Sequence, residues 1–380
     1  MKHALAPILA GLLMTAPVAA QAPVRIGLSA PLSGPDAAFG LGLRQGAEQA
    51  VADLNRAAGG RPRFALVPAD DAGDARQAVA IAKKFAADGV RLVIGPFESI
   101  AVAAATPVYE EAGALLVTPG ATYTPLTGRG AWNLFRLAPS DAQQGRAAGA
   151  YLAKAFAGRR IAILNDRSTF GRGLAEAVSA RLKEAGTPEV LFDGFPRGTR
   201  DLADLVGRLK AARVEAVYFG GLAPEAATLL RALREANLGA TLVASDGILD
   251  PAFAAAVGPA GEGTVMTLPP DPPRLPEPKG GKAPARGPEA ESVAASGYAA
   301  VELLAQALER ARAADPKAGR VPEGRKLADA LRSAPPLRTI LGPVGFDSRG
   351  DRTGGTVALR IWRRTPDGRL DYAGNEVPGP

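Results

Sequence analysis

The sequence predicts an α/β protein of two Rossmann-like lobes with mainly parallel sheets. Three observations carry this. Short apolar runs of strand length alternate with longer amphipathic stretches of helical spacing, the signature of βαβ units. The alternation restarts after Pro139, so the chain holds two similar halves without a short sequence repeat. And 380 residues, 47% hydrophobic and 22% charged, suffice for two domains of ordinary size.

The first half opens on VRIGLS at 24–29, a strand. A helix follows at 42–58, with Ala47, Ala50, Val51 and Leu54 at helical spacing. Then come a strand at 64–68, a helix at 75–88, a strand at 91–94, a helix at 102–113 and a strand at 114–117. The second half opens on a helix at 142–157 and a strand at 160–165, RIAILN, which is similar to VRIGLS. Helices at 173–185, 202–212 and 223–236 then alternate with strands at 190–193, 216–220 and 242–245. Residues 268–287, LPPDPPRLPEPKGGKAPARG, carry too much Pro and Gly for a helix or central strand and read as a solvated loop or crossover. Helices resume at 289–313 and 326–333, and a late hairpin pairs 357–363 with 370–373 around Pro366-Asp367-Gly368.

The N-terminal stretch MKHALAPILAGLLMTAPVAA has one lysine, Lys2, then an apolar run, then small residues at Val18 and Ala20. It reads as a secretory signal over 1–20, too short and wrongly flanked for a membrane span. The mature protein is then expected to start near Gln21 and to lie in the periplasm.

The chain has no cysteine, and its one histidine, His3, falls in the expected signal. Disulfides, thiol catalysis, Ser-His-Asp chemistry and Cys- or His-based metal sites are excluded from the mature chain. No cofactor, no metal and no enzymatic activity are expected. The formal charge is +7, or +6 without Lys2. Lysines and arginines are scattered and aromatics are only 5%, so the charge reads as a basic soluble surface and no nucleic-acid partner is expected.

Ligands of open α/β sheets bind outside the carboxyl ends of the strands, which directs attention to the loops after them. SAPLSGP at 29–35 leads into Phe39-Gly40 and a helix start. Gly40-Leu41-Gly42 and Gly171-Arg172-Gly173 do not complete a dinucleotide fingerprint. GPFES at 95–99 opens a helix whose N–H groups suit a carboxylate, with Ser99 as an ordinary N-cap the alternative. TPGAT at 118–122 offers hydroxyl, carbonyl and N–H groups to a polar head group, or is simply a turn. Phe170, Leu222 and Asp246 also follow strands; Asp246 suits a cationic amine, or an Asx-turn. Asp70 and Asp71 are expected to cap the helix at 75.

These loops carry a resemblance. PLSGPDAAFG, GAEQAVADLN, DDAGDARQAVAIA, VIGPFES, VTPGAT, FRLAPSDAQQG, IAILNDRSTFGRGL, YFGG and GPVGFDSRGD occur in this order and cover nearly all of 24–351. With them the chain resembles the type I periplasmic binding proteins of the branched-chain amino acid (Leu/Ile/Val) transport family.

The resemblance implies a three-segment hinge with crossovers near Pro139, Pro270 and Val344. One lobe would take 21–139 and 271–343, the other 140–270 and 344–380. It implies capture of a branched-chain or other apolar amino acid between the lobes and delivery to the membrane permease of an ABC importer, with no cofactor, by a monomer. A ligand-sensing module of the same fold, or a binding protein for another apolar or aromatic acid, are the alternatives. The family holds the ligand carboxylate by a Ser, which aligns with Ile100 beside Ser99, and by the last Thr of its TP-x-A-T motif, here Thr122 in the Gly120-Ala121-Thr122 loop. It holds the ammonium by a main-chain carbonyl and an acid, matched by Gly120 and Asp246. Pocket aromatics align with Phe39, Phe170 and Leu222, all without a hydroxyl. The family's frequent disulfide would need cysteines at Gly73 and Glu98, and the Pro-rich segment stands where a regular helix is usual.

Overall fold

The computed structural model describes residues 22–59, 63–249, 251–269, 273–277, 287–317, 319, 321–354 and 356–377. The expected signal at 1–20 and most of the Pro-rich segment lie outside them.

The first lobe begins β1 (Val24–Ala30), α1 (Ala37–Ala57), β2 (Phe64–Asp70), α2 (Ala75–Ala87), β3 (Leu92–Ile94), α3 (Ser99–Glu111), β4 (Leu115–Thr118), α4 (Pro125–Gly128) and β5 (Leu134–Arg136). These strands form a parallel sheet in the order β2-β1-β3-β4-β5. The second lobe follows as α5 (Asp141–Ala155), β6 (Ile161–Asn165), α6 (Thr169–Glu184), β7 (Leu191–Gly194), α7 (Ala203–Ala211), β8 (Ala216–Gly220), α8 (Ala223–Glu235), β9 (Thr241–Ala244), α9 (Pro251–Val257) and β10 (Val265–Leu268). The chain then returns to the first lobe as α10 (Pro288–Ala314), α11 (Gly324–Arg332) and the hairpin β11 (Leu337–Thr339) and β12 (Gly342–Val344). Finally β13 (Ala358–Ile361) joins the second sheet antiparallel to β10, giving the order β13-β10-β9-β8-β6-β7. A short ribbon, β14 (Arg363–Arg364) and β15 (Leu370–Asp371), turns at 365–369.

The apolar runs form strands because both sheet faces are covered. In the first lobe Leu92, Ile94, Leu115 and Val117 face one core with α1 and α10, while Val93 and Leu116 face the other with α2 and α3. The second sheet alternates the same way, Val217 and Phe219 against Ala216 and Tyr218.

The two long helices of the first lobe touch along small residues. A Cβ at Gly46 would lie 1.9 Å from the carbonyl oxygen of Ala294, and one at Gly297 2.3 Å from that of Leu43. The helix α1 reaches back to Ala37, five residues before the expected start, with Gly42 close against Ala290 in this seam and Gly40 close against Pro31. The helix at α3 starts at Ser99, not 102, and contains Pro107.

The last crossover lies beyond the expected Val344. Phe346 packs edge-on against Phe135, ring centroids 5.0 Å apart, and Asp351 accepts from Arg136 Nη2 at 2.6 Å. Residues 345–352 therefore stay with the first lobe.

Candidate functional site

A cavity of about 290 Å³ lies between the lobes at the carboxyl ends of both sheets. The first lobe lines it with Phe39 from the first turn of α1, Phe97 and Ser99 after β3, and Gly120 and Thr122 after β4. The second contributes Phe170 from the first turn of α6, Leu222 before α8, and Asp246 after β9.

Seven of the nine expected site residues thus come together: Phe39, Ser99, Gly120, Thr122, Phe170, Leu222 and Asp246. Ile100 does not. It is 49% exposed, because one step along a helix turns a side chain by about 100°, from the cleft to solvent. Ala121 is buried in the first lobe's core, not in the cavity.

Local structure sets each of these groups. Ser99 is inside the first turn of α3, with Glu98 in the cap position, so it does not cap the helix. Its Oγ instead accepts from Tyr123 N at 3.3 Å, tying α3 to the 118–122 loop. That loop is closed by Thr118 Oγ1, which donates to Pro96 O at 2.8 Å and accepts from Ala121 N at 3.3 Å. Gly120 is required there: a Cβ would fall 2.1 Å from the Phe97 ring, which stacks on Phe39 at 5.2 Å.

Arg136 supports the loop from below, though nothing in the spacing of charges announces it. Fully buried, it donates from Nη1 to Thr122 O at 2.9 Å and Tyr123 O at 2.8 Å. Its Nε and Nη2 are held by Asp351 Oδ1 at 2.9 and 2.6 Å. The ligand loop is thereby coupled to the last crossover. Thr122 Oγ1 itself is buried without a hydrogen-bond partner of good geometry. Beside it both carboxyl oxygens of Asp141 lack one as well, and burial pushes Asp141 up to about 7, the Thr122 hydroxyl offsetting part of this.

Asp246 opens a short helical turn, but Ser245 caps that turn by accepting from Gly247 N at 3.3 Å. The Asp246 carboxylate faces inward and accepts from Gln144 Nε2 at 3.2 Å. Gln144 is itself fixed, its Oε1 accepting from Thr267 Oγ1 at 3.0 Å. Enclosure pushes Asp246 up to about 6, so it is mostly ionised at neutral pH.

The pair expected to cap α2 does not do so. Asp74 caps it, accepting from Arg76 N and Gln77 N. Asp70 accepts from Leu32 N at 2.8 Å and Asp71 from Ser29 Oγ at 2.6 Å, so the two join the loops after β1 and β2.

The result is a largely apolar chamber, whose wall also holds Asp36, Glu98, Gln143 and Arg352. It carries Thr122, whose buried hydroxyl lies beside Asp141, on one lobe and an acid at Asp246 on the other. That arrangement can bind a small zwitterion with an apolar side chain. Among the described residues no helix is long and apolar enough to cross a membrane.

Residues 23–366 match the family described as "Periplasmic binding protein". The Leu/Ile/Val-binding protein homolog 1 of Brucella suis is 37% identical over 356 residues, 93% of this chain and 94% of its own. An "Amino acid binding protein" of Pseudomonas aeruginosa is 38% identical over 338 residues, 87% of this chain and 88% of its own. An ABC transporter substrate-binding protein from Desulfitobacterium hafniense, solved in complex with Leu, is 28% identical. It superposes with a TM-score of 0.70 over 92% of this chain and 100% of that one.

Proposed function

The chain belongs to the periplasmic binding protein family, and from that premise we propose that it captures a small apolar α-amino acid in the cleft and hands it to the permease of an ABC importer. The observation that carries this is the inward Asp246 carboxylate facing Ser99, Gly120 and Thr122 across a largely apolar chamber. In this reading the ammonium sits on Asp246 and the Gly120 carbonyl. The carboxylate sits on the Thr122 and Ser99 hydroxyls, and the side chain lies against Phe39, Phe170 and Leu222. The Leu complex of the Desulfitobacterium protein supports the ligand class. The protein needs to perform no reaction. Because the site uses both lobes, the ligand stabilises the closed form, and the permease reads that form. Residues 1–20 serve as the export signal, and the mature protein works as a periplasmic monomer.

A second reading has one observation in its favour. Phe39, Phe170 and Leu222 offer the ligand no hydroxyl, which suits an apolar or aromatic acid as well as an amino acid. A thermal-shift screen of the purified protein separates the two. A ligand at about 100 times its Kd adds about 2.7 kcal/mol to the native state, a readable rise in Tm. We expect Leu, Ile, Val or Phe to raise Tm and benzoates and short fatty acids not to. Shifts with the acids alone would replace the first reading by the second.

A further inference from the structure

The cavity wall holds two acids, Asp36 and Glu98, that the ligand groups above do not use, and a charged cluster forms around them. Arg197 stands on the second lobe, in the loop after β7. Its Nε donates to Asp166 Oδ2 at 2.9 Å in its own lobe, and its Nη1 lies 3.9 Å from Asp36 Oδ2 on the first lobe. Among the described residues this is the only ion pair that joins the two lobes.

Both sides are preset. Gly198 N donates to Glu225 Oε1 at 3.1 Å and Thr199 Oγ1 to Pro196 O at 2.6 Å, which fixes the Arg197 loop. Asp166 is buried and also accepts from Ser168 N at 3.0 Å through its other oxygen. On the first lobe Asp36 precedes α1 beside Glu98; burial pushes its carboxyl up, and the charge of Arg197 opposes that shift. Glu98 fills the place where the family resemblance puts half of a disulfide: its Cγ lies 3.2 Å from where a Cβ on Gly73 would stand. Burial, and then the neighbouring Asp36, push Glu98 up to about 8, so at neutral pH it mostly holds its proton. The remaining nearby acid, Asp71, is occupied by Ser29 Oγ. Among the described residues, Asp36 is the first-lobe carboxylate within ion-pair distance of Arg197.

We propose that Arg197 is the positioning residue that latches the two lobes shut, reaching from its anchor on Asp166 to Asp36 on the opposite side of the cleft. This rests on reading the cleft as a hinged binding site. Anchored by Asp166, Arg197 loses little side-chain freedom when the lobes meet, so more of the Asp36 attraction is left to favour closure. The contact is made only when the lobes meet, so it acts on the closed form alone.

The chain has no cysteine, so a pair introduced as Glu111→Cys and Glu184→Cys, both exposed and one on each lobe, takes spin labels at two known places. Label distances and calorimetric affinity are measured with L-leucine as the probe, in the parent, Arg197→Ala, Asp36→Ala and the double variant. The latch predicts a smaller closed population in Arg197→Ala and an L-leucine Kd raised about 3- to 10-fold. It also predicts that the double variant is no worse than the more affected single one. Distances and Kd unchanged in Arg197→Ala, or single effects that simply multiply, would overturn it. If L-leucine binds none of the four, the amino-acid reading falls and the ligand-free distances alone decide the latch. A shift to longer distances in Arg197→Ala supports it, and identical distances overturn it.

Discussion

Asp246 faces an enclosed chamber with Gln144 as its side-chain hydrogen-bond donor, and its carboxyl is pushed up to about 6. A ligand ammonium can pair only with the ionised form. The contribution of Asp246 to L-leucine affinity is therefore expected to hold above pH 6. It should weaken as pH falls through about 6, by at most about tenfold per pH unit for one proton, while the ammonium itself stays charged. Asp246→Asn should flatten this profile and bind at least about 30-fold more weakly, from the about 2–5 kcal/mol that truncating one member of a buried charge pair costs. A calorimetric pH series checks both. At this scale the sequence was most readable where a loop follows a strand, as at Gly120, Thr122 and Asp246. It misled where the answer depended on one step of helical rotation, as at Ile100 against Ser99. Glu98 was unreadable for another reason. It sits at a helix start like any cap residue, and its shift comes from burial and from acids distant in the sequence.

Among the elements, the α1–α10 pair binds the returning segment to the first lobe, and it depends on backbones close enough to exclude a Cβ at Gly46. Gly46→Val has no flexible neighbour to displace, since the nearest atoms are the Ala294 carbonyl and Tyr298 N. Overpacking a closed seam costs about 1–3 kcal/mol and more against rigid backbone, so a loss of about 3 kcal/mol is expected in urea unfolding. Arg44→Ala on the exposed side of α1, whose partner is an i,i+4 ion pair with Glu48, should change stability by less than about 0.5 kcal/mol. Strands covered on both faces were legible as apolar runs, as in β1, β6 and β8. The short strand β5 and the strand β10, the latter set between a Gly-rich turn and the Pro-rich segment, were not. Their strand character comes from pairing with β4 and β9, partners that no local pattern names.

For the whole molecule, three crossovers join two lobes that line one cavity from opposite sides. The duplicated architecture was legible from the restart after Pro139. The position of the last crossover was not, because Phe346 and Asp351 are held by Phe135 and Arg136, more than two hundred residues earlier. Arg136 links the Thr122 loop to that crossover, so the two share one buried side chain. The central claim is that the cleft recognises an apolar ligand by its α-amine as well as its acid. The direct measurement is a pair of calorimetric titrations of the mature protein at pH 7, with L-leucine and with 4-methylpentanoate, the same skeleton without the amine. Saturable one-to-one binding of L-leucine is expected, with 4-methylpentanoate at least about 30-fold weaker for want of a partner to Asp246. Equal or tighter binding of 4-methylpentanoate would contradict it.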